Sequence, residues 1–172
     1  IVGIGTEQIE KELLMMFPEA RILRMDRDTL YGKHALSRMQ QRIHNREVDM
    51  VVGTQMITKG HDFPNVTLVG VILADLSLNL PDFRAGERTF QLLTQVAGRA
   101  GRAEKPGEVL IQTYNPKHHS LQCARWHDTL RFREIELRQR KYLSVPPFLH
   151  LALILCSSPS EVRAEKIAQS LS

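Results

Sequence analysis

The chain has 172 residues, 42% of them hydrophobic and 24% charged, which suits one compact α/β domain with room for a little more and excludes a fully disordered segment. Lys and Arg number 23 against 19 Asp and Glu, and the resulting +4 is only a mild bias toward a polyanionic partner. Two cysteines, Cys123 and Cys156, without C-x-x-C spacing argue against a disulfide framework or a self-contained thiolate zinc site; with no signal peptide and no apolar run long enough to cross a bilayer, a cytoplasmic chain without membrane association is expected.

In chain order, residues 1–2 read as the tail of a strand, and a start on Ile rather than Met suggests a piece of a longer protein. Thr6 offers an N-cap for a helix on which Ile9, Leu13, Leu14, Met16 and Phe17 recur at helical spacing before Pro18. Residues 21–25 read as a strand. Asp28 or Thr29 can cap a helix running to about His44, with Leu36, Met39 and Ile43 on one face. Residues 49–53 form a short buried strand, followed by a polar loop to Pro64; residues 66–74 are the clearest strand. Residues 85–97 are helical, 98–107 an Arg- and Gly-rich loop, and 108–113 another strand. This alternation predicts a mostly parallel sheet covered by helices.

After Asn115–Pro116 the character changes. Residues 121–142 read as one long charged helix with Trp126, Leu130, Ile135 and Leu137 as its apolar minority, stopped by Pro146–Pro147, because proline lacks the N–H and clashes with the preceding turn. Residues 148–156 read as a strand and 159–171 as an amphipathic helix. The expected organisation is a lobe over 1–115, a connecting charged helix over 116–145, and the truncated start of an α+β C-terminal domain over 146–172.

Two segments carry chemistry. In Gln95-Val-Ala-Gly98-Arg99-Ala-Gly101-Arg102 a helix delivers Gln95 at its C-terminal end, and glycines let the backbone turn so that two guanidiniums meet. Arginine stays charged and offers a rigid fork for phosphate oxygens, so this pair is placed for the γ-phosphate of a nucleotide. R-x-G-R alone also fits a solvated turn; the preceding Q-x-x-G makes the pattern specific. The second segment, Gly53-Thr54-Gln55-Met-Ile-Thr58-Lys59-Gly60-His61-Asp62-Phe63-Pro64, leaves a strand end, where open α/β sheets bind ligands. Thr54, Gln55 and free backbone N–H groups suit a nucleic-acid phosphate, with Lys59 adding charge. Asp62 suits a ribose hydroxyl or an arginine partner, and equally the cap of an ordinary turn.

Taken together, the two segments resemble those of superfamily 2 helicases and translocases, whose second RecA-like lobe carries a Thr-led motif V and then motif VI as Q-x-x-G-R-x-G-R. GIGTEQIEKEL, RMDRDT, VGTQMITKGHDFPNVTLVGVI, DFRAGERTFQLLTQVAGRAGR and PGEVLIQTYNP are similar in order and spacing to the primosomal protein N′ (PriA) family, and RKYLSVPPF resembles the entry to that family's C-terminal domain. The resemblance implies the second motor lobe of an ATP-dependent 3′→5′ DNA helicase of replication restart and primosome assembly. Arg99 and Arg102 would then be catalytic, Gln95, Gly98, Gly60 and Asp62 nucleotide-binding, and Thr54, Gln55 and Lys59 DNA-binding. ATP and Mg2+ would be held mainly by the first lobe. Zn2+ is implied for the family, with no ligands expected here, and the implied partners are forked or single-stranded DNA, primosome proteins and single-strand-binding proteins.

The 172 residues contain no G-x-x-x-x-G-K-[ST] phosphate loop, no Asp-Glu magnesium motif and no paired-cysteine module, so by themselves they are not expected to hydrolyse ATP. The rival readings are another superfamily 2 translocase and a non-catalytic nucleic-acid-binding adaptor with a RecA-like fold; the adaptor predicts damaged arginine positions, whereas Arg99 and Arg102 are both present.

Other conspicuous residues read as structural. Asp26, Arg27 and Asp28 end a strand and cap a helix, and His118, His119 and Cys123 lack a fourth ligand nearby. Trp126 suits a DNA base or a neighbouring domain. Arg131, Arg133, Arg138, Arg140 and Lys141, interleaved with Glu134 and Glu136, read as a solvated face or a DNA contact. Asp82, Arg84 and Glu87 fit capping and function alike.

Overall fold

The computed structural model describes residues 5–26, 28–29, 34–58, 63, 66–98, 107–152 and 154–170. The chain divides into two compact units, Ile1–Phe132 and Arg133–Ser172.

The first unit opens with α1 (Thr6–Met16), β1 (Ile22–Met25), α2 (Ala35–His44) and β2 (Met50–Gly53). β1 and β2 pair in parallel, Ile22 opposite Met50 through Met25 opposite Gly53, and α1 lies against both strands. Leu23, Met25 and Phe63 form the core here, with Leu36, Met39 and Ile43 of α2 packed against them as the helical spacing predicts. Two caps differ from expectation. Thr6 is the first residue of α1 rather than its N-cap, which is Gly5; the Thr6 hydroxyl instead donates to Asp26 Oδ2 at 2.6 Å. Asp28 and Thr29 do not cap α2, whose N-cap is His34: the Asp26 carboxylate accepts from both of their backbone N–H groups, so they close a turn after β1.

β3 (Leu68–Val71), α3 (Asp75–Leu78), α4 (Ala85–Ala97) and β4 (Glu108–Ile111) follow. β3 and β4 pair in parallel from Leu68–Glu108 to Val71–Ile111, so the described strands form two parallel pairs. The apolar run through 74 supports only four strand residues, because Ala74 already precedes the short helix α3, which periodicity did not indicate. α4 has the expected bounds: Ala85, Thr89, Phe90, Leu93 and Val96 recur on its buried face. Burying each of the larger apolar side chains is worth about 1.5–3 kcal/mol.

Against α4 packs α5 (His119–Arg125), which buries Leu121, Cys123 and Ala124. The Ser120 hydroxyl, fully buried, donates to the Gly86 carbonyl at 2.9 Å, and Phe90 stacks on Phe132 with ring centroids 4.0 Å apart. The predicted single helix over 121–142 is two helices, because the chain breaks at Trp126–Asp128 before α6 (Thr129–Tyr142). His127 is left-handed, with φ 51°, while Asp128 N donates back to Cys123 O and the Asp128 carboxylate accepts from Arg131 N, capping the new helix.

In the second unit α6 ends at Tyr142, ahead of the prolines, at a turn with left-handed Ser144. The strand expected over 148–156 is absent among its described residues, which begin in a bend and pair with no strand; a strand needs a partner's N–H and C=O groups, and none is presented there. The second unit closes with α7 (Glu161–Gln169), inside the range expected for the amphipathic helix.

Candidate nucleotide and nucleic-acid site

Because β1 and β2 run in parallel with Met25 opposite Gly53, the residues that follow them, Asp26 and Thr54, leave at the same edge. This carboxyl-terminal edge is where open α/β sheets receive ligands. Gly53 has no room for a side chain: a Cβ would overlap the Met25 carbonyl oxygen and the Ile57 side chain. The close approach lets the chain turn at once into a 3-10 turn, Gln55–Thr58, fastened by Ile57 N donating to Thr54 O at 3.1 Å. Thr54 and Gln55 are both exposed on this turn.

α4 packs beside the same turn. It carries Gln95 on its exposed face and ends at Gly98, whose N–H bonds the Thr94 carbonyl at 3.1 Å. The fold therefore brings the helix bearing Gln95 against the turn that follows Thr54 and carries Gln55, although 27 positions separate Thr58, where the turn ends, from Ala85, where the helix begins. Lys59, Gly60, Asp62, Arg99 and Arg102 lie outside the described residues.

Two buried carboxylates brace the strand ends, Asp26 at this edge and Asp75 at the exit of β4. Asp26, buried, receives the Thr6 hydroxyl, the N–H groups of Asp28 and Thr29, and an ion pair from Arg24 Nε at 3.1 Å; Arg24 also reaches Glu10 at 3.3 Å. The Thr6 bond foremost, with those from Thr29 and the Arg24 charge, holds the Asp26 carboxyl below the usual carboxylate range against its burial. Asp75 is similarly built in. Burial raises its pKa, but bonds from Tyr114 N, the Thr113 hydroxyl and Asn115 N outweigh it and keep the carboxylate ionised, tying α3 to the exit of β4. Neither long-range pairing has a local signal: Thr6 and Asp26 are 20 residues apart, Asp75 and Thr113 are 38.

The ambiguous residues around the start of α4, Asp82 and Arg84 before it and Glu87 in its first turn, take structural positions. Asp82 accepts from Arg84 N at 2.9 Å and pairs with Arg84 and Arg88, and the Arg84 bonds hold its carboxyl down to about 2. Glu87 accepts from Gln91 at 3.0 Å along the helix. His118 Nδ1 accepts from Ser120 N as the cap of α5, and Cys123 is buried, which pushes its thiol up. Among the described residues no group of three His, Cys, Asp or Glu is placed to hold a metal. No helix among them is long and apolar enough to cross a membrane.

Residues 5–104 match the family described as "Helicase conserved C-terminal domain", and this span contains both chemistry-bearing segments. The chain belongs to the helicase C-terminal domain family. It is 50% identical over 98% of its length to the replication restart protein PriA of Bacillus subtilis, 44% over 98% to that of Synechocystis, and 45% over 96% to that of Treponema pallidum. The chain spans only 20–25% of the length of these three relatives. The helicase family agrees with the α/β, RecA-like architecture expected from the alternating strands and helices.

Proposed function

We propose that this chain is the second motor lobe of an ATP-dependent 3′→5′ DNA helicase acting in replication restart and primosome assembly. The observation that carries the reading is the packing of α4 beside the Gln55–Thr58 turn within the span of the helicase match. One helix leads at its end to a pair of arginines, one turn follows Thr54 and carries Gln55, and helix and turn pack together. In this reading Arg99 and Arg102 meet the negative charge that develops on the transferring phosphoryl group, and Gln95, Gly98, Gly60 and Asp62 face the nucleotide. Thr54, Gln55 and Lys59 hold the backbone of the tracked strand, and the shared loop couples DNA to ATP. Nucleotide-driven closing and opening of the cleft against a first lobe then moves this lobe along DNA. ATP and Mg2+ would be bound mainly by that first lobe, and forked or single-stranded DNA, primosome proteins and single-strand-binding proteins are the partners.

The test is DNA-stimulated ATPase in the longer helicase. Arg99→Ala or Arg102→Ala is expected to lower turnover by roughly 10³–10⁵-fold while leaving DNA affinity nearly unchanged. Turnover near wild type in both variants would refute the arginine assignment.

A further inference from the structure

The corner between α5 and α6 has no part in the site above, yet it carries the only tryptophan of the chain, Trp126, with 69% of its surface exposed. Burying an indole ordinarily gains more than almost any other side chain, so one left in water beside cations is informative. The corner is held in place by the capping bonds of Asp128 and the return bonds from His127 N and Asp128 N to Ala124 O and Cys123 O, 3.2 and 2.9 Å. Leu121, Cys123 and Ala124 turn into the core while Trp126 turns outward. The Arg125 guanidinium lies 5.2 Å from the indole centroid, and Leu130, 67% exposed, follows on the next helix. Across residues 115–132 the charged side chains are Lys117, Arg125 and Arg131 against Asp128 alone, whose carboxylate is engaged in capping α6.

We infer that this corner is a stacking contact for single-stranded DNA, separate from the Thr54–Gln55 turn. A base stacks on the indole face away from Arg125, and the flanking phosphates meet Arg125 and Arg131. An aromatic platform within a cationic patch fits this occupant because every base has a π-face and the strand between bases is anionic. Packing of the indole against another protein surface is the competing occupant, and oligo-dT affinity unchanged by Trp126→Ala is the outcome that would favour it. The inference rests on the DNA-motor reading for its choice of ligand.

Trp126 is its own reporter. Emission of the chain is followed during titration with oligo-dT, and affinity is read separately from the anisotropy of a labelled oligo-dT. Emission is expected to quench on binding. Trp126→Ala is expected to weaken affinity by about 5- to 150-fold and Trp126→Phe to restore most of it. Removing Arg125 and Arg131 should reduce the slope of log K against log salt by roughly 0.7 each. Since Trp126 is exposed, circular dichroism should be unchanged in the variants. Binding without quenching, or Trp126→Ala at wild-type affinity, overturns the inference and leaves the Thr54–Gln55 site standing. No binding of oligo-dT at low salt overturns the inference and also counts against DNA contact by this lobe, while the arginine ATPase test remains independent of both.

Discussion

At Gly53 the strand β2 ends against the carbonyl of Met25, and the side chain of Ile57 fills the space a Cβ would need. Glycine is required there for contact rather than for backbone conformation. Gly53→Ala must displace either the β1–β2 edge or the Gln55–Thr58 turn, costing about 1–3 kcal/mol as overpacking does. Chemical denaturation of the variant against the parent chain measures this, and equal midpoints would show that the turn relaxes without penalty. The motif G-T-Q was legible in the sequence as a strand exit, but not the reason for its glycine, since Met25 and Ile57 reach it from opposite directions along the chain. The same holds for Asp26, legible as a strand end, whose partner Thr6 lies on helix α1.

Across α5 and α6 the sequence offers Arg, Leu and Glu in abundance, all good helix formers, and this pattern conceals the break. The break is decided by burial. Phe132 must reach Phe90 and Leu121 must reach the core at the same time, and one straight helix gives way to two joined at a left-handed residue. His127 occupies that conformation with φ 51°, which an L-residue with a Cβ enters at a cost. His127→Gly is therefore expected to stabilise the first unit by about 0.5–1 kcal/mol, raising Tm by about 1–4 °C, and His127→Val to lower it. Thermal melts followed by circular dichroism read both, and a lower Tm for the glycine variant would contradict the account. The misread stretch 148–156 has a different origin: its apolar residues have strand-like composition, but strand formation depends on a partner that composition cannot supply.

For the molecule as a whole, the division of labour proposed above makes the chain dependent on a partner lobe. Purified by itself, it is expected to fold and to show no ATP hydrolysis with or without oligo-dT, because the 172 residues hold no phosphate loop to order the β- and γ-phosphates for an arginine to act upon. A coupled ATPase assay decides this: hydrolysis that vanishes in an Arg99→Ala control would mean that the chain holds a complete site.

The sequence by itself determined the α/β alternation, the bounds of α4 and the helicase family, because hydrophobic periodicity and the spacing of Q-x-x-G-R-x-G-R are local properties of the chain. Tertiary structure alone decided that α4 packs beside the Gln55–Thr58 turn, that Asp26 and Asp75 are buried yet satisfied, and that Trp126 stands outward on a corner. Each of these depends on residues 20 or more positions apart, or on which face of a helix finds a core to cover it. Such pairings are fixed by packing and by the need to satisfy buried polar groups, and no window of sequence contains both partners.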